Sequence, residues 1–400
     1  MKRLLLMKKI ISFLIPILIA FISVIAINNF LDRQIADLVK QKNPSQIGRN
    51  YGDLTKDRSV VIKNILSEKG DVFLMGSSEI GVAVPQNSIN FFPFKGADYN
   101  VSCFGRAYTQ DLQQATLLGS CDLKENQRIA LIVSIQWFEN LHGMDAGDFV
   151  VNFSDIQFYN FLNNPKISEE NKIYYAKRVY QMLTGANKYH AEALYARLYY
   201  SENPIKNAVM LAFKPYYKVN EYLSNIKDKA LIYKELKELP DKQSNSELKE
   251  VNWKDEYNSI EKENSEIPST NKFHLTDEYY NNRIASVEET IKGRYSNMDL
   301  VNSKEMDDYK FLLGVCKDLN MEPYIILPPV NGWYDDYLGL EKERRDAYYQ
   351  KVKSLANDNG LEVLNLGDYD YEKDFLVDVM HLGKEGWLKV SEEIYKHFNK

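Results

Sequence analysis

From Ile10 to Ile27 the chain reads IISFLIPILIAFISVIAI, eighteen residues without a charge. At 1.5 Å per residue, a helix of that length reaches about 27 Å, close to the ~30 Å hydrocarbon core of a bilayer. Pro16 removes one backbone donor, a loss that membrane helices tolerate. Lys2, Arg3, Lys8 and Lys9 precede the run and no acid does. Cations on that side predict a cytoplasmic N-terminus, with everything after about residue 30 outside the cell membrane. A cleaved signal peptide is the competing reading, because Val24-Ile25-Ala26 loosely fits a processing site. The run is longer than the roughly 7–15 apolar residues of such peptides, so an uncleaved single-pass anchor over 1–30 is expected.

The other residues of the 400 carry 46 cations against 56 anions. A net-acidic body excludes a generic phosphate-backbone binder, and no nucleic acid is expected as a partner. The three cysteines are too few for a disulfide scaffold or a four-thiolate zinc site. Their odd number allows at most one bridge, and buried thiols are the plainer alternative. His142, His190, His274 and His397 lack paired ligand spacing, so no metal and no cofactor are called for.

Four apolar runs read as buried strands: 72–75, 129–133, 324–327 and 361–364. Continuous runs of this kind, separated by helical stretches, indicate parallel strands covered on both faces. The candidate covering helices are 106–118, 304–319, 340–358 and 384–398, which together give an α/β sandwich. Residues 31–66 read as a stalk helix and lead-in. The sandwich then takes 67–154 and 271–400. Between them, 155–270 reads as a helical insertion rich in tyrosine, ending in a polar connector or lid from Glu238 to Asn271.

Chemistry gathers at the strand ends, where α/β sheets place ligands. Gly76-Ser77-Ser78-Glu79 follows the first strand, and the glycine permits a turn that lifts a serine oxygen into the crevice. Near the C-terminus stands Asp378-Val379-Met380-His381, followed by Gly383, Gly386 and Trp387. A serine hydroxyl needs a base, and the base needs an orienting carboxylate. The three-residue step lets one turn aim Asp378 at Nδ1–H of His381, leaving Nε2 free for a serine proton. Gln136, after the second strand, offers a side-chain amide to a developing oxyanion, beside Trp137 and Phe138. Pro328-Pro329-Val330-Asn331-Gly332-Trp333-Tyr334, after the third, has the look of a substrate wall, though ordinary turn chemistry accounts for it equally well.

The order of these features resembles the SGNH/GDSL hydrolase superfamily, and within it the D-alanyl–lipoteichoic acid biosynthesis family. The likeness spans nearly the whole chain, from the anchor to Trp387. It implies a three-layer sandwich with a parallel sheet and a triad of Ser78, His381 and Asp378. Ser77 stands where the superfamily has Asp, and Gln136 where it has Asn. Gly105, in Cys103-Phe104-Gly105-Arg106, matches the glycine whose N–H serves the oxyanion. Ser77, Trp137, Asn331 and Trp333 are the substrate-contact candidates.

The resemblance also implies D-alanylation of teichoic acids in a Gram-positive envelope. D-alanine is activated on a cytosolic carrier protein, passed over the membrane with a membrane-bound O-acyltransferase, and esterified to hydroxyls of (lipo)teichoic acid. An anchored, outward-facing serine acyltransferase suits the last transfer. Two other readings stay open: a non-catalytic scaffold recruiting the carrier or the acyltransferase, and an SGNH esterase, thioesterase or polysaccharide O-acetyl-transferring enzyme. The acidic body opposes a polyanionic polymer at long range, which salt screens beyond ~8 Å.

Overall fold

Five short strands make one parallel sheet: β1 (Val72–Met75), β2 (Val101–Phe104), β3 (Ile129–Ile132), β4 (Tyr324–Leu327) and β5 (Val363–Asn365). Their order is β2-β1-β3-β4-β5. The computed structural model describes residues 2–242 and 247–399, with side chains from residue 12 onward. The side chains of Lys2, Arg3, Lys8 and Lys9 therefore lie outside the described residues. The longer helices, in chain order, are α1 (Lys2–Gln41), α2 (Asp111–Ser120), α3 (Asp155–Asn163), α4 (Glu169–Leu183), α5 (His190–Tyr199), α6 (Pro204–Glu238), α7 (Trp253–Ser265), α8 (Lys304–Leu319), α9 (Lys342–Asp358) and α10 (Lys384–Phe398).

The strands are apolar throughout because both faces are covered. Phe73, Met75, Ile129, Leu131, Ile325 and Leu327 point into a core shared with α2, α8, α9 and the helices of the insertion. Their alternates Val72, Leu74, Ala130, Ile132 and Ile326 point into a second core, closed by α10, α7 and Phe91, Phe92 and Phe94. This is a three-layer α/β sandwich of the SGNH kind. One strand, β2, is absent from the sequence expectation. Its Ser102 is fully buried, and the hydroxyl donates to the Asp71 carboxylate at 2.6 Å.

Between β3 and β4 the chain is helical among the described residues. α4 is fixed to α8 by a buried ion pair, Arg178 Nη2 to Asp308 Oδ2 at 2.6 Å. The stretch expected to be a polar connector contains α7, which is docked and not free. Trp253 stacks on Phe91 at 5.4 Å, the Tyr257 hydroxyl donates to Glu392 of α10 at 3.0 Å, and Lys384 meets Glu263 at 2.6 Å. All three cysteines are buried, unpaired thiols, which burial pushes up to about 11 at Cys103 and Cys121 and about 12 at Cys316.

α1 is long and apolar enough to cross a membrane, is almost wholly exposed through its apolar part, and fits a single-pass anchor. It continues without a break to Gln41, burying Leu31 and Ile35 against the body.

Candidate active site

The order β2-β1-β3 means that the chain leaves β1 in one direction to reach β2 and returns across the sheet to reach β3. A crevice opens beyond the carboxyl ends of strands at such a reversal. Gly76 and Ser77 lead out of β1 into this crevice, and Ser78 starts a single 3₁₀ turn to Gly81. Gly105, directly after β2, closes down on the same place. A Cβ on Gly105 would lie 1.9 Å from the Gly76 carbonyl oxygen, and its φ of +120° suits only glycine. Gln114 of α2 donates to that same carbonyl at 2.7 Å.

The other half of the crevice comes from the C-terminal turn. Leu376 and Leu382 form an isolated antiparallel bridge, and Val377 N–H donates to the His381 carbonyl at 2.8 Å. Inside this turn the Asp378 Oδ1 accepts the N–H groups of Met380 and His381 at 2.9 and 2.8 Å. Its Oδ2 lies 2.7 Å from His381 Nδ1, and His381 Nε2 lies 3.0 Å from Ser78 Oγ. Residues 303 apart in sequence thus meet at hydrogen-bonding distance. With Asp378 ionised, Nδ1 carries the proton and Nε2 accepts from the serine.

Burial pulls the Asp378 carboxyl upward. The hydrogen bond and charge of His381, with the two backbone donors, outweigh it and hold the group below the usual carboxylate range. At His381 burial disfavours the cation, but the bond to Asp378, the charge of Asp378 and the charge of Glu79 outweigh that and raise the imidazole above its ordinary value.

Glu79 is the residue that sequence reasoning passed over. It is fully buried directly behind Ser78. Its Oε2 accepts the Ser77 N–H at 2.8 Å, and its Oε1 accepts the Ser134 hydroxyl and Gln136 Nε2, the latter at 3.2 Å. One carboxylate therefore ties the loop after β1 to the loop after β3. It also takes one of the two amide hydrogens of Gln136, which fixes where the other points. Gly105 N–H faces a different acid, Asp57 Oδ1, at 3.4 Å, and Asp57 itself pairs with the buried Lys56 at 2.6 Å.

The remaining sequence candidates divide. Ser77 is buried, its hydroxyl donating to the Arg106 carbonyl at 3.2 Å. Trp137 is buried in the core beside the sheet. Asn331 caps the helix Gly332–Tyr337 through the Tyr334 N–H at 2.9 Å and donates to the Phe273 carbonyl at 2.8 Å. Trp333 is half-buried, edge-on to His274 at 4.4 Å and to Tyr371 at 5.5 Å. Its loop is bound to the histidine turn, because Asn331 N–H donates to the Val379 carbonyl at 2.9 Å.

The arrangement has the parts of nucleophilic acyl transfer: a hydroxyl, a base with an orienting carboxylate, and an amide nearby. Known proteins resemble this chain over most of its length. A family model described as DltD protein matches residues 48–399. Protein DltD of Staphylococcus aureus is 28% identical over 367 residues, covering 89% of this chain and 88% of that protein. Protein DltD of Bacillus subtilis is 26% identical over 395 residues, covering 95% and 96%. Protein DltD of Lacticaseibacillus rhamnosus is 22% identical over 355 residues, covering 83% and 78%. The matched region takes in the loop after β1 and the histidine turn alike, and the chain belongs to the DltD family.

Proposed function

We propose that this chain performs the final acyl transfer of teichoic acid D-alanylation, outside the membrane, through an ester on Ser78. Membership of the DltD family supports the role in D-alanylation. The observation that carries the chemistry is the linked pair of contacts, Ser78 Oγ to His381 Nε2 at 3.0 Å and His381 Nδ1 to Asp378 at 2.7 Å.

In the first half-reaction the Ser78 proton passes to His381 Nε2 as Oγ attacks the carbonyl carbon of a D-alanyl ester or thioester. The oxyanion is held by the free amide hydrogen of Gln136 and the Ser78 N–H, with Gly105 N–H beside them, only loosely occupied by Asp57. Collapse expels the donor's leaving group, which takes the proton from His381. In the second half-reaction a glycerol hydroxyl of (lipo)teichoic acid gives its proton to His381 and attacks the acyl carbon. Ser78 then leaves and recovers that proton. Asp378 stays ionised throughout and stabilises the imidazolium. The donor reaches the crevice from a membrane-bound O-acyltransferase, itself loaded from a carrier protein. On this reading the crevice walls are Trp333 and the helix Gly332–Tyr337, and residues 67–154 and 271–400 form the catalytic domain around the 155–270 insertion.

Ester-linked D-alanine in envelopes of a strain carrying Ser78→Ala, with the variant present at normal levels, tests this. Loss of the ester is expected. Unchanged D-alanine with a serine-directed fluorophosphonate still labelling the variant would remove Ser78 from the reaction. Unchanged D-alanine with no labelling even of the parent would favour a scaffold.

A further inference from the structure

The second half of α6 is tied to α1, where Lys229 meets Asp32 at 2.6 Å and Tyr233 meets Phe30 at 6.3 Å. Its first half turns a different face to the body. Asn207, Met210, Lys214, Tyr217 and Glu221 recur at steps of three and four, which puts them on one side of the helix. That side meets the rest of the insertion, with Tyr217 edge-on to Tyr195 of α5 at 4.4 Å. A stripe that packs on neighbouring helices is ordinarily apolar. This one carries an amide, a carboxylate and, with Lys218, two ammonium groups, and it does not close. α3, α5 and the first half of α6 leave between them a cavity of about 470 Å³, inside the range of ~300–1,000 Å³ that small-molecule sites take. None of its lining residues lies in the loops that carry Ser78, Gln136 or His381.

The floor of the cavity is aromatic, and two of its hydroxyls are unspent. Tyr159 donates to Glu192 at 3.0 Å and Tyr199 to Glu169 at 3.3 Å. Tyr195 and Tyr217 are only 8% and 3% exposed, yet neither hydroxyl has a hydrogen-bond partner among the described residues. Buried hydroxyls are ordinarily bonded, so two left over in a cavity wall mark where the polar atoms of a ligand belong. Burial and the charge of Glu221 push Tyr195 up to about 12, which keeps its hydroxyl a donor at neutral pH. Asn163 and Asn207 stand at the rim, with Lys218 paired to Glu221 at 2.6 Å. Lys214 lines the same cavity and has no ion pair among the described residues.

We infer that this cavity is a second binding site for the acceptor, holding a glycerol phosphodiester segment of (lipo)teichoic acid outside the Ser78 crevice. The inference rests on the proposed transfer to that polymer. Each repeat of such a chain offers a phosphate anion, a hydroxyl and a short run of carbon. Lys214 supplies the uncompensated cation for the phosphate. The hydroxyls of Tyr195 and Tyr217 donate to phosphate or glycerol oxygens, and the rim amides both donate and accept. The glycerol carbons lie against the tyrosine rings and against Leu162, Leu198 and Met210. Glu169 and Glu221 accept from glycerol hydroxyls and repel a ligand that is anionic throughout, so charge alone does not fill the site. A polymer gripped here meets Ser78 as a tethered partner, which raises the effective concentration of its hydroxyls at the crevice.

The test uses the full chain in detergent and a lipid-free poly(glycerol phosphate) oligomer. Calorimetry gives the affinity, and mass spectrometry after brief acetylation gives the reactivity of each lysine. The oligomer is expected to slow acetylation of Lys214 several-fold and to leave Lys237, exposed farther along α6, unaffected. Tyr195→Phe combined with Tyr217→Phe keeps both rings and removes only the two unpartnered hydroxyls. This variant should melt at the parent's temperature and bind the oligomer about tenfold more weakly, the loss of two hydrogen bonds. An oligomer that fails to bind, binds without protecting Lys214, or binds the double variant equally well would overturn the inference and leave the Ser78 chemistry standing. Equal protection by inorganic polyphosphate, which lacks the glycerol, would overturn it too. So would protection by phosphatidylglycerol in the micelle when the free oligomer gives none. A protected Lys214 with unchanged ester-linked D-alanine in the Ser78→Ala strain would keep the site and remove the proposed reaction.

Discussion

Asn331 and Val379 share one backbone hydrogen bond of 2.9 Å, and through it the loop after β4 holds the turn that carries Asp378 and His381. That loop is held in turn from below. Asp370 Oδ1 accepts the Val330 N–H at 3.1 Å, its carbonyl accepts the Gly332 N–H at 2.7 Å, and its Oδ2 is gripped by Arg345 Nε at 2.8 Å. The geometry at His381 thus depends on an arginine with no exposed surface.

Arg345→Met tests this support. Arg345 also donates to Asp336 at 2.7 Å and to the Tyr371 hydroxyl at 2.9 Å. Removing it leaves the Asp370 carboxylate buried without its cation, a loss of about 3–5 kcal/mol. Denaturant unfolding should show that drop, with reduced fluorophosphonate labelling of whatever protein remains folded. A change below about 1 kcal/mol would mean that the pair does not hold the loop.

Asp378→Asn separates orientation from presence. His381 acts as a base only when neutral, so labelling of Ser78 should rise with pH through an inflection above the ordinary imidazole value near 6.5. Asp378 contributes the bond and charge that raise that group, so the variant's inflection should move to lower pH. The plateau rate should fall by about ten-thousand-fold, as for a triad whose tautomer is wrong. An inflection that stays in place would show that Asp378 does not set the charge state of His381.

Glu79→Gln probes the carboxylate behind the nucleophile. A carboxamide has one accepting oxygen where Glu79 uses two, so either Ser77 N–H or the Ser134–Gln136 pair is left facing an NH₂ group. Stability should fall by about 1–3 kcal/mol. If Gln136 donates to the oxyanion, the acylation rate should fall by about a hundredfold or more. The pH inflection should also drop, since the charge of Glu79 helps to raise His381. A stability loss with an unmoved inflection and rate would make Glu79 purely structural.

Gly105→Ala should be among the most damaging small substitutions. Its Cβ would overlap the Gly76 carbonyl oxygen at 1.9 Å, on a backbone that side chains rarely adopt. Thermal unfolding should record about 1–3 kcal/mol of destabilisation, together with lost labelling, because Gly76 leads straight into Ser78. A variant with the parent's stability and labelling would show that β1 and β2 need not approach so closely.

Much of this was legible from the sequence because the strands are buried on both sides and so read as unbroken apolar runs ending at chemistry. β2 escaped because Ser102 interrupts Val101-Ser102-Cys103-Phe104, and only the fold supplies the buried Asp71 that satisfies its hydroxyl. α7 was hidden in a polar stretch, yet Trp253, Tyr257 and Ile260 recur at steps of four and three after the cap Asn252, a signal that could have been read. Glu79 had no such signal. A glutamate beside two serines looks solvated until the loop after β3 is seen folding over it.

α1 has no joint between Asn28, where its apolar run ends, and Gln41, and α6 braces that stretch over about 20 Å. A helix braced in this way has no local hinge along that stretch. If α1 crosses a membrane as proposed, this brace would hold the Ser78 crevice at a set height above the headgroups. On the proposed acyl transfer, each acceptor hydroxyl would then have to be carried to that height.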